Sequence, residues 1–272
     1  MVDCFDLSGK TILVTGAAGI LGRQHVDALV NAGATVVATD VDEKSVNQVC
    51  MQINSKYNVK LAIPRYMDVT NRESIVSVVE EHERIDVLIN NAAKDFKVEG
   101  SGELSKEGRF ETMSYTRWKS DMEVGLGGCF LCSQAVANKM LSTGGGNIIN
   151  IASDLSVTAP DQRIYKKEGL DDREQNVKPV TYTVSKSAVV GLTKYMATYF
   201  ADKNIRVNSL SPAGIYNEDM PQDFVDKLTS LIPMGRMANP GEYGGAIVFL
   251  CSDASKYMTG VNLVIDGGRA VW

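Results

Sequence analysis

The sequence predicts an α/β chain built on one doubly wound parallel sheet, and three observations carry that expectation. Apolar segments of strand length alternate with longer helical segments along all 272 residues, as parallel strands joined by crossover helices require. The first unit, KTILVTGAAGILG, runs from a buried strand (Thr11 to Thr15) through a glycine-rich turn into a helix start. Such a turn presents backbone N–H groups and a helix N-terminus to a pyrophosphate. The second strand, ATVVATD, ends in Asp40, 24 residues after Gly16. A carboxylate there accepts from the ribose hydroxyls of an adenosine and repels a 2′-phosphate. Neither Gly19 nor Val41 supplies a cation for that phosphate, so the expected cofactor is NAD.

In chain order, the first strand falls near 11–16 and its helix near 20–32, and the second pair near 34–40 and 42–55. A third pair is expected near 60–67 and 71–82, and a fourth strand near 85–90 runs into NNAA. A long helix near 117–142 contains Gly125, Gly127 and Gly128, and the strand near 146–152 ends at Ser153. Helices near 180–203, 218–231 and 240–252 and strands near 205–211 and 262–265 complete the pattern. There are no repeats or low-complexity linkers, so one domain is expected over 1–272, with a substrate-covering insertion at about 156–179. In such a sheet the ligand lies at the carboxyl ends of the strands, where the glycine turn, Asp40, Asn90, Ser153 and Pro212 all fall.

Composition excludes more than it identifies. A net charge of −5 leaves no basic footprint for nucleic acid. No apolar run reaches a membrane span, and MVDCFDLSGK lacks an apolar signal core, so a cytoplasmic protein is expected. Five cysteines are scattered, and only Cys129 and Cys132 lie close together. Their CFLC sits in an apolar helical stretch without a second ligand pair, which favours buried core residues over a redox or metal motif. His25 and His82 are far apart in sequence and do not read as ligands, so no metal is expected.

The chemistry-bearing pattern is Tyr182 and Lys186 in YTVSK, with Ser153 upstream. Positions i and i+4 share a helix face, which sets Lys186 beside Tyr182. A phenol is a poor base at its free pKa of about 10, but a neighbouring ammonium stabilises the phenolate. Ser153 would hold the reacting oxygen against the phenol. Tyr and Lys at this spacing also occur by chance on any amphipathic helix.

With the glycine turn and Asp40 in place, the chain resembles the short-chain dehydrogenase/reductase family over nearly its whole length. TGAAGILG is similar to that family's TGxxxGxG, Asp68-Val69 to its adenine-contacting pair, NNAA (Asn90 to Ala93) to its NNAG, IRVNSLSPAGI to the segment beside the nicotinamide, and YMTGVNLVIDGG to its C-terminal signature. The resemblance implies a Rossmann fold and a Ser153–Tyr182–Lys186 site in which Lys186 also binds the nicotinamide ribose. It assigns Gly16, Gly19, Ile20, Leu21, Gly22, Asp68, Val69, Asn90, Ala92, Tyr182, Pro212, Gly214 and Ile215 to the cofactor, beside Asp40. It further implies a homotetramer or homodimer, paired through the helices near 117–142 and 180–203.

Departures from the family pattern are informative. Ile20 stands at its middle glycine while Gly19 precedes it, and Ala213 replaces the glycine of its PG turn. Gly125 replaces the asparagine that helps hold a relay water; either close helix packing or a kink with a free carbonyl would explain it. Ser153 and Tyr182 are 29 residues apart, about twice the family's usual spacing. The extra loop, as long loops in compact domains usually are, is functional or unstructured. Arg163, Lys166, Lys167 and Arg173 suit a phosphate or carboxylate, and Tyr165 could stack on a sugar face. Glu168, Asp171, Asp172 and Glu174 nearly cancel the charge, so a solvated flap is the alternative. A second connection, Lys94 to Arg117, borders the same mouth with Lys94, Lys97 and Arg109.

APDQRIYKKEG and KPVTYTVSK resemble, within the family, the oxidoreductases of bacterial flagellin-modification and legionaminic acid-type sugar pathways. The expected function is therefore NAD-dependent interconversion of an alcohol and a ketone on a small molecule, a sugar phosphate or nucleotide-linked sugar. A 3-oxoacyl-thioester reductase, against which Asp40 argues, and a non-catalytic NAD-binding subunit are the alternatives.

Overall fold

The computed structural model describes residues 4–94 and 108–272. Its centre is one parallel sheet of seven strands: β1 (Thr11–Thr15), β2 (Thr35–Asp40), β3 (Ala62–Tyr66), β4 (Val87–Asn90), β5 (Gly146–Ile151), β6 (Ile205–Pro212) and β7 (Asn262–Ile265). The spatial order is β3-β2-β1-β4-β5-β6-β7. Val14 is thus flanked by Ala38 on one side and Ile89 on the other. The order reverses between β1 and β4, and that switch point opens the crevice.

Helices cover both faces because successive strand residues point to opposite sides. Ile12 and Val14 face Val26, Leu29 and Val30 of α1 (Ile20–Asn31), Val46 of α2 (Glu43–Tyr57) and Ile247 of the later helix at Gly244–Cys251. Leu13, between them, faces the opposite cluster. That cluster holds Ile75 and Val78 of α3 (Arg72–Glu80), Val136 and Met140 of the helix at Gly128–Ser142, and Met196 of that at Val180–Tyr199.

The expected long helix at 117–142 is two helices. α4 (Tyr115–Met122) passes through a π-helical turn, Glu123–Gly127, into α5 (Gly128–Ser142). Three glycines within four residues lower the cost of the wider turn, because glycine contributes little to a regular helix. The later α-helices among the described residues are α6 (Val180–Tyr199), α7 (Gln222–Thr229) and α8 (Gly244–Cys251). Between β5 and α6 the chain makes only short turns, Asp154–Ser156, Gln162–Tyr165 and Asp172–Glu174. Among the described residues, no helix is long and apolar enough to cross a membrane.

Candidate active site

The glycine turn after β1 fits a pyrophosphate for reasons of space. Gly16 has φ 63°, and a Cβ there would lie 2.7 Å from the Ala92 Cα. A Cβ on Gly22 would run into the Gly16 carbonyl, so the turn closes only with glycine at both places. No side chain caps α1, and no acidic residue occupies its first turn, which leaves its N–H groups and dipole to an anion. Gly19 adopts φ −68° and ψ 171°, a conformation open to any residue. Gly19, which precedes Ile20 at the family's middle glycine, thus makes no use of a glycine's conformational freedom. Ile20 begins α1 half-exposed, and Leu21 packs toward the core.

Asp40 ends β2 beside this turn, its Oδ2 accepting from Ala18 N at 3.0 Å and its Oδ1 from Asp42 N at 3.0 Å. Asp68 is held by Thr70, whose backbone N and hydroxyl donate to Oδ1, and Val69 is buried next to Gly128. The Asn90 side chain turns inward. Its Nδ2 donates to Ser133 Oγ at 2.9 Å and Asn150 Oδ1 at 2.8 Å, and Asn150 donates onward to Thr193. Its amide therefore braces the core, which leaves only the backbone of Asn90 for the expected cofactor contact. Asn91, which the sequence reading passed over, links the crevice instead: its Nδ2 donates to the carbonyls of Thr15 and Gly16. Thr15 Oγ1 accepts from the backbone N of Asn91 and Ala92.

At the other side of the crevice, Ser153 follows β5 and is buried. Its hydroxyl donates to Asp154 Oδ1 at 2.8 Å. α6 packs on this turn, with Ser187 Oγ donating to Ser156 O, and carries Tyr182 and Lys186 alongside. Lys186 is buried; its Nζ donates to Ile151 O at 2.8 Å and lies 6.0 Å from the Tyr182 ring centroid. A second ammonium, that of Lys178, stands 3.8 Å from the same centroid, within cation–π range. A Cβ on Gly125 would meet Ser185 Cβ and Oγ at 3.5 Å, ordinary contact. Close packing therefore does not demand glycine at 125, and the π-helical turn is what distinguishes this position.

Pro212 ends β6, and Ala213–Ile215 is pinned from outside: Tyr243 Oη donates to Ala213 O, and Ile215 bridges Ala238. Gly214 lies under Met237. The fully buried Tyr243 was not singled out from sequence, since nothing in its local pattern marks it.

The insertion is packed onto the body. Lys227 of α7 donates to Lys166 O, Arg109 to Asp172 O, and the buried Gln175 side chain accepts from Lys167 N and donates to Lys167 O and Leu170 O. Tyr165 is buried, its ring 5.6 Å from that of Phe224. It anchors the loop rather than offering a face to a sugar, which corrects the expectation. Arg163 is exposed and paired with Asp161 at 2.6 Å, and Lys166 with Asp172 at 3.1 Å; Lys167 is exposed. Lys94 Nζ donates to Ser120 Oγ at 2.5 Å, and Lys97 lies outside the described residues.

Cys129 and Cys132 are buried on α5, and burial pushes the Cys129 thiol up to about 12. Among the described residues no cluster of His, Cys, Asp and Glu could hold a metal ion.

A glycine turn and an acidic strand end at the β1/β4 switch point, with Ser153, Tyr182 and Lys186 across the crevice after β5 and on α6, fit a nucleotide-dependent oxidoreductase. Residues 10–166 match the family described as short chain dehydrogenase, and residues 172–270 that described as Enoyl-(Acyl carrier protein) reductase. An NAD-dependent glycerol dehydrogenase from Listeria innocua is 34% identical over 98% of this chain and 96% of its own. A D-threitol dehydrogenase from Mycolicibacterium smegmatis is 33% identical over 98% and 95%. The crystal structure of a gluconate 5-dehydrogenase from Burkholderia cenocepacia, in complex with NADP and tartrate, superposes with TM-score 0.80 at 29% identity, covering 99% and 98%. The chain belongs to the short-chain dehydrogenase/reductase family, and is an oxidoreductase acting on alcohol and ketone groups of a small molecule with NAD or NADP.

Proposed function

We propose that this chain uses NAD to oxidise a secondary alcohol of a sugar phosphate or nucleotide-linked sugar, or reduces the matching ketone with NADH. What supports the mechanism is that α6 packs on the turn that carries Ser153 and itself bears Tyr182 and the buried Lys186, whose Nζ reaches Ile151 O two residues before the serine. Tyr182 Oη takes the alcohol proton as the alkoxide forms. Lys186 favours the phenolate by its charge, and Ser153 donates to the substrate oxygen and fixes its orientation. A bound nicotinamide would supply the hydride acceptor, with Gly16, Gly22 and the start of α1 holding its pyrophosphate, Asp40 the adenosine ribose and Lys186 the nicotinamide ribose.

For the substrate, the braced polar loop and the resemblance to sugar-pathway oxidoreductases support a polyhydroxylated ligand. Arg163 and Lys166 are already paired with carboxylates, so an anionic group would have to share or displace those pairs. Exposed Phe130 on α5 and Tyr195 and Tyr199 on α6 support two-fold pairing of these helices into a homotetramer or homodimer.

A panel of sugar phosphates, nucleotide sugars, gluconate and neutral polyols, scanned for NADH absorbance, tests the assignment. Turnover confined to the neutral polyols would remove the phosphate and nucleotide parts of it. Tyr182→Phe should abolish turnover with NADH binding nearly unchanged, whereas Lys186→Ala should weaken both. Substantial activity in Tyr182→Phe would favour a binding protein without this chemistry.

A further inference from the structure

The residue after the candidate catalytic serine is a buried carboxylate that no step above uses. Asp154 is 3% exposed. Its Oδ1 accepts from the Ser153 hydroxyl at 2.8 Å and from Leu155 N at 2.9 Å, and its Oδ2 accepts from Arg269 Nη1 at 2.7 Å. Arg269 is itself largely buried, with a side-chain exposure of 10%. The two residues are 115 apart in sequence and meet because of the turn after β7. There Asp266 accepts from Gly268 N at 2.9 Å and Ala270 N at 2.7 Å, and Arg269 N donates to Asp266 O. The resulting short turn, Arg269–Val271, drives the guanidinium inward behind Ser153. The tail is fixed a second time by Trp272 Nε1 donating to Leu231 O.

We propose that Arg269 is a positioning residue for this reaction: through Asp154 it sets how available the single Ser153 proton is to the substrate oxygen. The inference rests on the assignment of Ser153 as the group that orients that oxygen. A hydroxyl has one proton, and in this structure it is given to Asp154. To hold a ketone or alkoxide oxygen, Ser153 must turn that proton toward the substrate. Arg269 draws carboxylate charge toward Oδ2, so Oδ1 is a weaker acceptor and the proton transfers its bond readily. Without Arg269, a bare buried carboxylate would grip the hydroxyl and oppose negative charge forming beside it.

Among the described residues, four further ionisable groups lie around the pair or its neighbours. Tyr243 is buried on Ala213 O, and its ionisation is opposed by burial and then by the Asp154 charge. Glu242, also near Tyr243, is engaged by Arg236; Asp266 caps the tail; and Asp161 feels Arg269 across the loop. All but Tyr243 are carboxyl groups, so Arg269 is the cation that balances Asp154 directly.

The test compares wild type with Arg269→Gln, Arg269→Lys, Asp154→Asn, the Arg269→Gln/Asp154→Asn double variant and Ser153→Ala. Alcohol oxidation is measured with NAD and the alcohol of the panel that has the highest kcat/KM, per folded enzyme well below each Tm. Arg269→Gln should lower kcat by about tenfold, the effect of roughly one charged hydrogen bond, with NADH affinity unchanged. The acid limb of its kcat/KM profile should move to higher pH, because Asp154 then opposes the phenolate. Asp154→Asn should move the limb to lower pH, Arg269→Lys should retain most of kcat, and the neutral double variant should return toward the wild-type limb. A wild-type kcat and pH profile in Arg269→Gln, with Ser153→Ala inactive, overturns the proposal while leaving the assignment of Ser153 intact; the pair would then only pin the tail. If Ser153→Ala keeps wild-type activity, the reading of the serine fails first, and this inference with it.

Discussion

Asp40 shows how a single side chain can serve fold and ligand choice together. Its carboxylate accepts from Ala18 N in the glycine turn, so the group proposed to meet the ribose is held in a fixed orientation. Replacing Asp40 by Ser and Val41 by Arg should reverse the preference toward NADP(H), weakening NADH by about tenfold to a hundredfold for the loss of charged hydrogen bonds. Fluorescence titration of both reduced cofactors measures this directly, and a wild type that bound NADPH more tightly than NADH would refute the assignment of NAD. Much at this scale was readable from sequence, since Gly16, Gly22, Asp40, Ser153, Tyr182 and Lys186 sit at spacings dictated by a turn, a strand end or a helix face. Asp154 and Arg269 were not, because an ion pair across 115 residues leaves no local pattern. The side-chain direction of Asn90 was hidden for a related reason: a polar residue at a strand end can face the crevice or the core, and only the packed neighbours Ser133 and Asn150 decide.

Among the elements, α1 carries a cost that sequence does not reveal. His25 is fully buried, and neither ring nitrogen has a hydrogen-bond partner among the described residues. Desolvation lowers its pKa from 6.5 to about 4. The unfolded chain therefore binds a proton below pH 6.5 that the folded chain refuses until about pH 4. Stability should fall as pH drops through that window, by about 3 kcal/mol at most at 1.36 kcal/mol per unit. His25→Leu should flatten this slope and match or exceed wild-type stability at pH 7, since it removes an unsatisfied buried group. Urea unfolding of both proteins from pH 7 to pH 4 separates the outcomes; parallel slopes would show that another group titrates. The π-helical turn at Glu123–Gly127 illustrates the opposite case. Gly125, Gly127 and the adjoining Gly128 signalled a kink or close packing, and the ordinary 3.5 Å contact available at Gly125 separates the two there.

In the proposed reading, cofactor and substrate rest on different supports. The ends of β1, β2 and β4 carry the glycine turn, Asp40 and Asn90, whereas the insertion, the proposed roof of the substrate, is joined to α7 and to Arg109 by hydrogen bonds that the sheet does not share. Sequence placed the insertion by length alone, and its internal bracing was illegible because turns held by side chains have no period. Gln175 is the central brace: one buried side chain makes three hydrogen bonds, to Lys167 N, Lys167 O and Leu170 O. Gln175→Ala should leave those backbone groups unpaired and loosen the roof by about 2 kcal/mol. If the roof closes over the substrate, KM for the best alcohol of the panel should rise several-fold while NADH affinity and global Tm change little, since the sheet core is untouched. Protease cleavage confined to residues 161–178 should increase in parallel. A variant that is cleaved faster yet keeps its wild-type KM would show the insertion to be a flap that the substrate does not touch, and the substrate-binding residues would then have to be sought on α7 and the segment after β6.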